Sequence, residues 1–366
     1  MCGIAGFVND MPIDVKCPVL QRMTDMIAHR GPDSEGHYID EHAALGHRRL
    51  SIIDLGGGQQ PIYNEDGSKV ITFNGEIYNY QTLREELIAA GHTFTTKSDT
   101  EVLLHGYEQW GVDLLQRVRG MFTFVIWDKN KQELFGARDH FGIKPFYYAK
   151  MNGTFMYASE IKSLLRHPDF VKELNAEALK PYMTFQYPAI GETFFKGVYK
   201  LPEGHYFTYR DGKMDIHRYY DEDFREGKQK LGELVNSIDQ TVCDSVKAHQ
   251  IADVEVGSFL SSGVDSSYVA AVARPQHTYS IGFGKGTYNE SQQAGELAEL
   301  LKLNNTAESL TDEEAFAAFP RIQWHLDEPD SNPSCVPLYF LSALAAKDVK
   351  VVLSGEGADE LFAGYI

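Results

Sequence analysis

The sequence has little that would suit an oxidising compartment or a membrane. Its 366 residues include four cysteines, at positions 2, 17, 243 and 335, whose wide spacing fits neither a disulfide framework nor a zinc motif. No apolar run approaches membrane-spanning length, and the N-terminus lacks a basic segment followed by an apolar one. We therefore expect a cytoplasmic protein that has no membrane partner.

Positive charge and metal-binding patterns are also scarce. Lys and Arg number 34 against 52 Asp and Glu, which gives a net charge of −18. Such a chain repels nucleic acid overall, so we expect no nucleic-acid partner, and an anionic substrate would have to be bound by local features. The 13 histidines include no His-x-x-x-His pair, so a transition-metal site built by the protein is not expected.

The pattern of apolar residues divides the chain into two parts. Residues 2–210 combine short β-branched and aromatic segments with a few helices, which predicts an α+β domain of antiparallel sheets covered by helices. Residues 211–230 begin with a hairpin-type turn and continue as a charged stretch, and we interpret them as a linker. Residues 231–366 alternate strands and helices, which predicts an α/β domain with a doubly wound parallel sheet.

The individual elements follow from the same patterns. In the first part we expect strands at 3–8, 70–73, 122–127, 133–137, 146–149 and 154–158, and helices at 19–28, 80–90 and 100–110. In the second part we expect strands at 254–260, 277–281 and 350–353, and helices at 231–249, 266–273, 290–301, 312–325 and 338–347. Ser98 or Asp99 and Asn289 are candidate helix caps. The chain ends one turn into a last helix, so we expect the second domain to be incomplete.

Cys2 directly follows the initiator methionine. Removal of Met1 would leave a thiol and a free α-amine on one residue, and an α-amine has an ordinary pKa of about 7.7–8.0. That amine can serve as the base that a thiol nucleophile needs. A cysteine near a chain terminus can also be incidental, because termini are often poorly ordered. Other residues must therefore distinguish the two interpretations.

Three further groups suit the hydrolysis of a carboxamide. Asn74 Nδ2 and the Gly75 N–H can donate hydrogen bonds to a developing oxyanion. A free amino acid also presents a carboxylate, which suits Arg49, and an ammonium group, which suits Asp99. Each residue also has an ordinary interpretation, since Asn-Gly is a favoured hairpin turn and the two charges could lie on the surface.

Together these residues resemble the class II glutamine amidotransferase domain, whose nucleophile is its N-terminal cysteine. The matching motifs, in order, are Cys2, Arg-Leu-Ser-Ile at 49–52, Asn-Gly-Glu-Ile-Tyr-Asn at 74–79, Ser-Asp at 98–99, 138–145 and Ala-Ser-Glu at 158–160. The resemblance covers residues 2–210 and implies an αββα sandwich. It implies Cys2, Asn74 and Gly75 as catalytic residues. The glutamine-binding residues that it implies are Arg49, Asn74, Gly75, Glu76 and Asp99.

Two segments of the second part suit a nucleotide. Residues 261–267 combine small residues and hydroxyls between a strand and a helix, so their N–H groups could hold a pyrophosphate, and Asp265 could bind Mg²⁺. An ordinary Ser/Gly loop with Asp265 as a helix cap is the alternative. Residues 354–365 follow another strand, at the edge where open α/β sheets bind ligands.

These segments also resemble known signatures. The first resembles the Ser-Gly-Gly-x-Asp-Ser loop of the ATP-pyrophosphatases, and the second resembles the Ser-Gly-Glu-Gly-x-Asp-Glu signature of glutamine-dependent asparagine synthetases. The implied ATP-binding residues are Leu260, Ser261, Gly263, Asp265, Ser266, Ile281, Ser354 and Gly355. Glu356 is implied to support formation of β-aspartyl-AMP, and Asp265 and Asp359 to hold Mg²⁺. Ser262 replaces a glycine that is usual in the family, and its Cβ could crowd the phosphates or force a disfavoured backbone angle.

The two halves together resemble the glutamine-hydrolysing asparagine synthetases. This resemblance implies glutamine, aspartate and ATP as small-molecule partners, with a homodimer as the candidate assembly. Cys2 would release ammonia from glutamine, ATP would convert the β-carboxylate of aspartate to an acyl-adenylate, and ammonia would displace AMP. Because the second domain is expected to be incomplete, we expect this chain to hydrolyse glutamine but to make little asparagine.

Three alternatives stay open. One is an amidotransferase that acts on a sugar phosphate or phosphoribosyl pyrophosphate, although the loops at 261–267 and 354–360 argue against it. A closer alternative is a relative that amidates another carboxylate. The third is a protein that senses glutamine without catalysis, which the intact Cys2 and the Asn74–Gly75 pair disfavour.

Overall fold

The computed structural model describes residues 1–225, 227–283, 290–362 and 364. Asn289, the candidate helix cap, and Tyr365, at the end of the second nucleotide segment, lie outside these residues. The chain separates into two units, Met1–Phe224 and Arg225–Ile366. In the described part of the chain, no helix is both long and apolar enough to cross a membrane.

The first unit is built on two six-stranded antiparallel sheets. Its strands are β1 (Gly3–Val8), β2 (Ser34–Ile39), β3 (Ala43–Arg49), β4 (Ile62–Tyr63), β5 (Lys69–Ile77), β6 (Gly120–Asp128), β7 (Glu133–Arg138), β8 (Tyr147–Met151), β9 (Thr154–Ala158), β10 (Val198–Lys200), β11 (His205–Arg210) and β12 (Lys213–Arg218). The first sheet has the order β10-β8-β9-β1-β3-β2, and the second has the order β12-β11-β7-β6-β5-β4. Strand β1, which follows Cys2, therefore lies inside the first sheet rather than at its edge.

Helices cover the outer face of each sheet. The described helices of this unit are α1 (Ile13–Asp25), α2 (Tyr80–Ala89), α3 (Asp99–Trp110), α4 (Ile161–Leu164) and α5 (Leu179–Phe185), of which α5 has no buried residue, and 3-10 turns lie at Gly111–Gln116 and Ala176–Ala178. Apolar side chains of α1 and α4 pack on the first sheet, and those of α2 and α3 pack on the second. A third cluster, which includes Ile4, Trp127 and Tyr157, fills the space between the sheets. These layers form the αββα sandwich that the sequence predicted.

Several boundaries differ from the sequence prediction, and two of these differences change how segments are assigned. Helix α1 begins at Ile13 rather than at residue 19, because Pro18 is accommodated inside the helix while Leu20 and Met23 remain buried. The predicted hairpin turn is present, with Asp211 and Gly212 at φ values of 50° and 74°. The strand that follows it, β12, pairs with β11, so residues 213–218 of the predicted linker belong to the sheet.

The second unit contains a four-stranded parallel sheet of order β15-β14-β13-β16. Its strands are β13 (Val256–Phe259), β14 (His277–Phe283), β15 (Asn304–Leu310) and β16 (Val351–Leu353), and its helices are α6 (Leu231–Ala248), α7 (Val264–Ala273), α8 (Glu290–Leu301), α9 (Asp312–Leu326), α10 (Cys335–Ala345) and α11 (Ala358–Phe362). Side chains of α7 and α8 form one apolar cluster with Leu260, and those of α10 form another with Tyr279. The sheet grows in both directions from β13, which confirms the doubly wound arrangement.

Candidate functional site

Cys2 faces the interior of the first unit. Ile4 points into the cluster between the sheets, and side chains alternate along a strand, so Cys2 faces the same way. Its Sγ lies 3.4 Å from Leu50 N, which donates to it, and 3.6 Å from Leu50 O. The sulfur is therefore held beside the end of β3.

Ionic contacts hold the backbone that carries the sulfur. Arg30 Nε donates to the Cys2 carbonyl at 2.9 Å, and Arg30 Nη1 lies 3.0 Å from Glu160 Oε1. His29 and Lys162 also contact the Glu160 carboxylate, at 3.0 and 2.6 Å. Burial raises the pKa of Glu160, but these three partners outweigh burial and hold the pKa at about 2. The Glu160 carboxylate is thus an ionised anchor for the start of β1.

Asn74 and Gly75 lie in the middle of β5 and not in a hairpin turn, because this strand pairs continuously with β6. Val70 points into the cluster between the sheets, so alternation directs Asn74 and Glu76 toward the same face. Asn74 is 1% exposed, and within the described residues its Nδ2 and Oδ1 have no hydrogen-bond partner. A Cβ on Gly75 would lie 2.2 Å from Met121 O, so this position requires glycine. Because the Asn74 amide has no protein partner among the described residues, it is available to a ligand.

Arg49 and Asp99 are buried and not on the surface. Arg49 Nη2 donates to Ile53 O at 3.0 Å and to Asp54 O at 2.7 Å. Asp99 begins α3, and its Oδ2 accepts a hydrogen bond from Ile77 N at 3.0 Å. The candidate carboxylate-binding and ammonium-binding groups are thus both fixed by backbone contacts.

The electrostatics bring these residues together around the sulfur. Burial raises the pKa of the Cys2 thiol, the charge of Arg49 lowers it and the charge of Asp99 raises it. Burial also raises the pKa of Asp99 to about 6, and burial followed by the charge of Asp99 raises the pKa of Glu76 to about 7. Burial lowers the pKa of the Met1 amine to about 5. Burial therefore shifts the pKa of each group toward its neutral form. At pH 7 the Met1 amine is neutral, whereas the Asp99 carboxylate stays mostly ionised.

Lys144 also belongs to this site, although sequence reasoning gave it no role. It is 3% exposed, and its Nζ lies 2.9 Å from Met1 Sδ. Burial lowers its pKa to about 8, although the charge of Glu76 opposes this shift. Asp139 Oδ2 holds the loop by accepting from Lys144 N at 2.9 Å. The motif at 138–145 signalled this loop, but it did not signal the direction of the lysine.

In the second unit the two predicted nucleotide segments lie side by side. Strand β13 pairs in parallel with β14 on one side and with β16 on the other, so the sheet order reverses between β13 and β16. Open α/β sheets bind ligands at such a switch point, beyond the carboxyl ends of the strands. A Cβ on Gly355 would lie 2.7 Å from Ser266 N, which brings the segment after β16 against the start of α7.

Hydroxyl contacts shape the segment after β13. Ser261 Oγ lies 2.8 Å from Ser266 Oγ and accepts from Gly263 N at 3.1 Å. Ser262 is not among the residues with positive φ, so the disfavoured backbone angle expected there is absent. Asp265 stands in the first turn of α7, and its carboxylate forms no hydrogen bond or ion pair with the residues that the structure describes.

The remaining candidate residues take different positions. Leu260 is buried in the apolar cluster with α7 and α8, and Ile281 is half-buried on β14. Ser354 and Glu356 are exposed after β16, and Asp359 lies in the first turn of α11. Between described residues, no hydrogen bond or ion pair connects Glu356 or Asp359 to the segment after β13. The segment after β13 therefore lies against Gly355, whereas no hydrogen bond or ion pair among the described residues links it to Glu356 or Asp359.

Comparisons with known proteins agree with this division. Residues 1–220 match the family model described as a glutamine amidotransferase domain, and residues 237–366 match the model described as asparagine synthase. Asparagine synthetase [glutamine-hydrolyzing] 1 of Bacillus subtilis is 44% identical over 373 residues, which cover 100% of this chain and 59% of the relative. A provisionally named glutamine-hydrolysing asparagine synthetase of Mycobacterium tuberculosis is 39% identical over 399 residues, covering 100% of this chain and 60% of the relative. Another, of Methanocaldococcus jannaschii, is 34% identical over 395 residues and is covered to 76%.

The first unit thus combines an αββα fold with a match to the glutamine amidotransferase domain family. The second unit contains a parallel sheet, and the two segments predicted to bind a nucleotide lie where its strand order reverses. The chain belongs to the family of the glutamine-hydrolysing asparagine synthetases, and it spans about three fifths of the length of the first two of these relatives.

Proposed function

We propose that this protein makes asparagine from aspartate, using glutamine as the nitrogen donor and ATP as the activating substrate. One set of observations supports the proposal: the charges of buried Arg49 and buried Asp99 act on the Cys2 thiol, and the buried amide of Asn74 has no hydrogen-bond partner among the described residues. Family membership supports the assignment of aspartate as the acceptor. The free thiols of all four cysteines support a cytoplasmic location.

The first reaction is hydrolysis of the glutamine side chain. After removal of Met1, the α-amine of Cys2 takes the thiol proton, and the thiolate attacks the amide carbon. Asn74 Nδ2 and the Gly75 N–H donate to the oxyanion of the tetrahedral intermediate. The protonated amine then gives its proton to the departing nitrogen, which leaves as ammonia. Water hydrolyses the remaining thioester to glutamate and restores the thiol.

The substrate is oriented by its α-substituents. The Arg49 guanidinium binds the α-carboxylate, and the Asp99 carboxylate binds the α-ammonium group, which also lies in the field of Glu76. Since Asp99 and Arg49 are fixed by backbone contacts, little reorganisation is needed when glutamine binds. Free amino-acid glutamine is thus preferred to a glutamine residue within a peptide.

The second reaction takes place at the switch point of the parallel sheet. The ATP-binding residues that we propose are Leu260, Ser261, Gly263, Asp265, Ser266, Ile281, Ser354 and Gly355. The Asp265 carboxylate, which has no partner among the described residues, fits a hard cation, so Asp265 and Asp359 are the proposed holders of Mg²⁺, which would offset phosphate charge. Glu356 is proposed to support formation of β-aspartyl-AMP, with release of pyrophosphate. Ammonia then displaces AMP to give asparagine.

The decisive experiment measures product formation with either nitrogen source. The purified full-length protein is supplied with aspartate, ATP and Mg²⁺ together with glutamine or with ammonium chloride, and native protein is compared with Cys2→Ala. We expect the variant to lose glutamine-dependent synthesis and to keep ammonia-dependent synthesis. Alanine at position 2 is also small, so removal of Met1 is expected in both proteins, and intact mass measurement checks it.

Two outcomes would overturn the proposal. Equal glutamine-dependent synthesis by the Cys2→Ala variant would exclude Cys2 as the nucleophile. The second outcome is glutamine hydrolysis with no AMP released when aspartate is supplied, together with release of AMP when another carboxylic acid is supplied. This result would show that the acceptor is not aspartate.

A further inference from the structure

A cluster of four possible metal ligands lies in the first unit, outside the glutamine site. Glu65 follows β4, His92 follows α2, and His105 and Glu108 lie one turn apart on α3. One ligand atom from each of the four residues lies within 4.8 Å of all the others. Nothing in the proposed synthesis uses these side chains.

The distances between the ligand atoms suit a tetrahedral ion. Glu65 Oε1 lies 3.1 Å from His92 Nδ1, and Glu65 Oε2 lies 3.3 Å from His105 Nδ1. Glu108 Oε2 lies 3.2 Å from the same His105 nitrogen. Bonds of about 2.0–2.2 Å from zinc to nitrogen or oxygen place tetrahedral ligand atoms roughly 3.3–3.5 Å apart. These three pairs are already near that spacing, and the remaining pairs, which lie within 4.8 Å, would have to close toward it when an ion binds.

The second nitrogen of each imidazole faces an acceptor. His92 Nε2 lies at a hydrogen-bond distance of 3.2 Å from Gln109 Oε1, and His105 Nε2 lies at an ion-pair distance of 3.5 Å from Glu101 Oε1, without a hydrogen bond. The Glu101 carboxylate is itself fixed, because it accepts from the backbone and hydroxyl groups of Thr95 and Thr96 at 2.6–3.0 Å. Metal-binding histidines usually donate their other N–H to such partners. This arrangement directs both Nδ1 atoms toward the same point.

The remaining contacts orient the carboxylates and leave a route for solvent. Asn64 Nδ2 donates to Glu108 Oε1 at 2.7 Å, and Lys69 Nζ lies 3.5 Å from that oxygen, so Oε2 is the oxygen that faces the cluster. The Glu65 side chain is 37% exposed. A surface pocket lined by Glu65 and Thr93 adjoins the cluster. Two carboxylates would also balance the charge of a divalent ion.

We propose that Glu65, His92, His105 and Glu108 form a site for a divalent transition metal, with Zn²⁺ as the expected ion. A set of two imidazoles and two carboxylates suits zinc, whereas Mg²⁺ prefers oxygen ligands alone. The ion would connect the segment after β4, the segment after α2 and helix α3. Its role is structural, because all four ligand positions are supplied by the protein.

The test measures metal binding by the chelator-treated full chain. Native protein is dialysed against Zn²⁺, and its metal content is measured by mass spectrometry. We expect about one Zn²⁺ per chain and a rise in Tm on binding, since a structural zinc contributes directly to folding. With Co²⁺ we expect visible d–d bands without a thiolate charge-transfer band. His92→Gln and Glu65→Gln are expected to lose the ion on dialysis and to show no rise in Tm.

Two controls separate this site from unrelated binding. His277 forms an isolated pair with Glu255 at 3.5 Å in the second unit, so His277→Gln is expected to keep the ion. Cys2→Ala is also expected to keep it, which excludes the thiol. Gln109 is exposed and is not a ligand, so Gln109→Ala should fold normally while the affinity falls about 10–100-fold. Failure of native protein to retain Zn²⁺, or equal retention by His92→Gln, would overturn the proposal.

Discussion

At the scale of single residues, Asn74 shows how the glutamine site differs from ordinary core packing. Both polar atoms of its amide are buried without a partner among the described residues. An unsatisfied buried polar group typically costs about 1–3 kcal/mol. A residue that lowers stability in this way is well suited to a ligand that completes its hydrogen bonds. The oxyanion of the proposed intermediate is such a ligand.

This reasoning predicts opposite effects of Asn74→Ala on rate and on stability. We expect kcat for glutamine hydrolysis to fall by about 10²–10³, because one oxyanion donor is lost. We expect Tm to stay unchanged or to rise, because the unsatisfied amide is removed. Glutaminase kinetics and scanning calorimetry measure the two effects. Asn130→Ala, in a turn after β6, is the matched control and should leave kcat unchanged. A large loss of Tm with an unchanged kcat would contradict the assigned role.

Asp99 gives a prediction for pH dependence. Its pKa is raised to about 6, chiefly by burial, so its carboxylate takes up a proton as the pH falls through 6 and then attracts the substrate ammonium less. We expect KM for glutamine to rise below pH 6 while kcat changes less.

The variant Asp99→Asn should raise KM at pH 8 by at least about 30-fold, since loss of a buried charge partner costs 2 kcal/mol or more. Its KM should also lose the rise below pH 6. Exposed Asp113, in the 3-10 turn after α3, provides the control variant Asp113→Asn, which should keep both properties. An unchanged KM in Asp99→Asn would remove this residue from the glutamine site.

At the scale of helices and strands, the sequence best predicts the elements whose apolar residues recur with a clear period. Strands β1 and β9 and helix α8 have the predicted bounds, and the Ser98 side chain caps α3 by accepting from Thr100 N. Strand β15 was not predicted, because its residues are polar and mostly exposed at the sheet edge. Strand β3 escaped because it contains small and charged residues in place of β-branched ones. Neither pattern contains the alternation from which strands are predicted.

The same limit applies to sites. Motifs that are contiguous in sequence predicted Cys2, Arg49, Asn74 and Asp99 as site residues, and in the structure the charges of Arg49 and Asp99 act on the Cys2 thiol. The proposed metal ligands come from three separate segments, so the spacing of histidines alone gave no reason to expect a transition-metal site. Lys144 lies inside the motif at 138–145, but only the folded loop directs its side chain toward Met1. Residues that meet only through tertiary packing carry no local signal.

The contact between the two nucleotide segments gives a prediction at this scale. The variant Gly355→Ala would place a Cβ 2.7 Å from Ser266 N, which forces the segment after β16 away from α7. We expect loss of aspartate-dependent exchange between ATP and labelled pyrophosphate, with glutaminase activity unchanged. Gly295→Ala in α8 is the matched control, because its Cβ meets nothing within 4 Å and alanine favours a helix. Equal exchange by Gly355→Ala and native protein would separate this segment from ATP binding.

At the scale of the whole molecule, the excess of acidic residues limits how ATP can be bound. A net charge of −18 repels a nucleotide at long range. In the proposed site, attraction would therefore come from short-range donors, and the segment after β13 offers hydroxyls and N–H groups but no basic side chain. If ATP binds through neutral donors, the proposed Mg²⁺ would offset the phosphate charge.

The boundary between the two units predicts the first site of proteolysis. Residues 221–225 and 227–230 are exposed and outside helices and strands, and the segment contains Arg225, Lys228 and Lys230, each a trypsin site. We expect limited trypsin digestion to cut here first and to leave an N-terminal fragment that still hydrolyses glutamine, because every proposed glutaminase residue lies within Met1–Phe224. Electrophoresis with mass spectrometry identifies the cut. Replacing all three basic residues by Gln should slow it, whereas a first cut between residues 1 and 218 would contradict the assignment of the boundary.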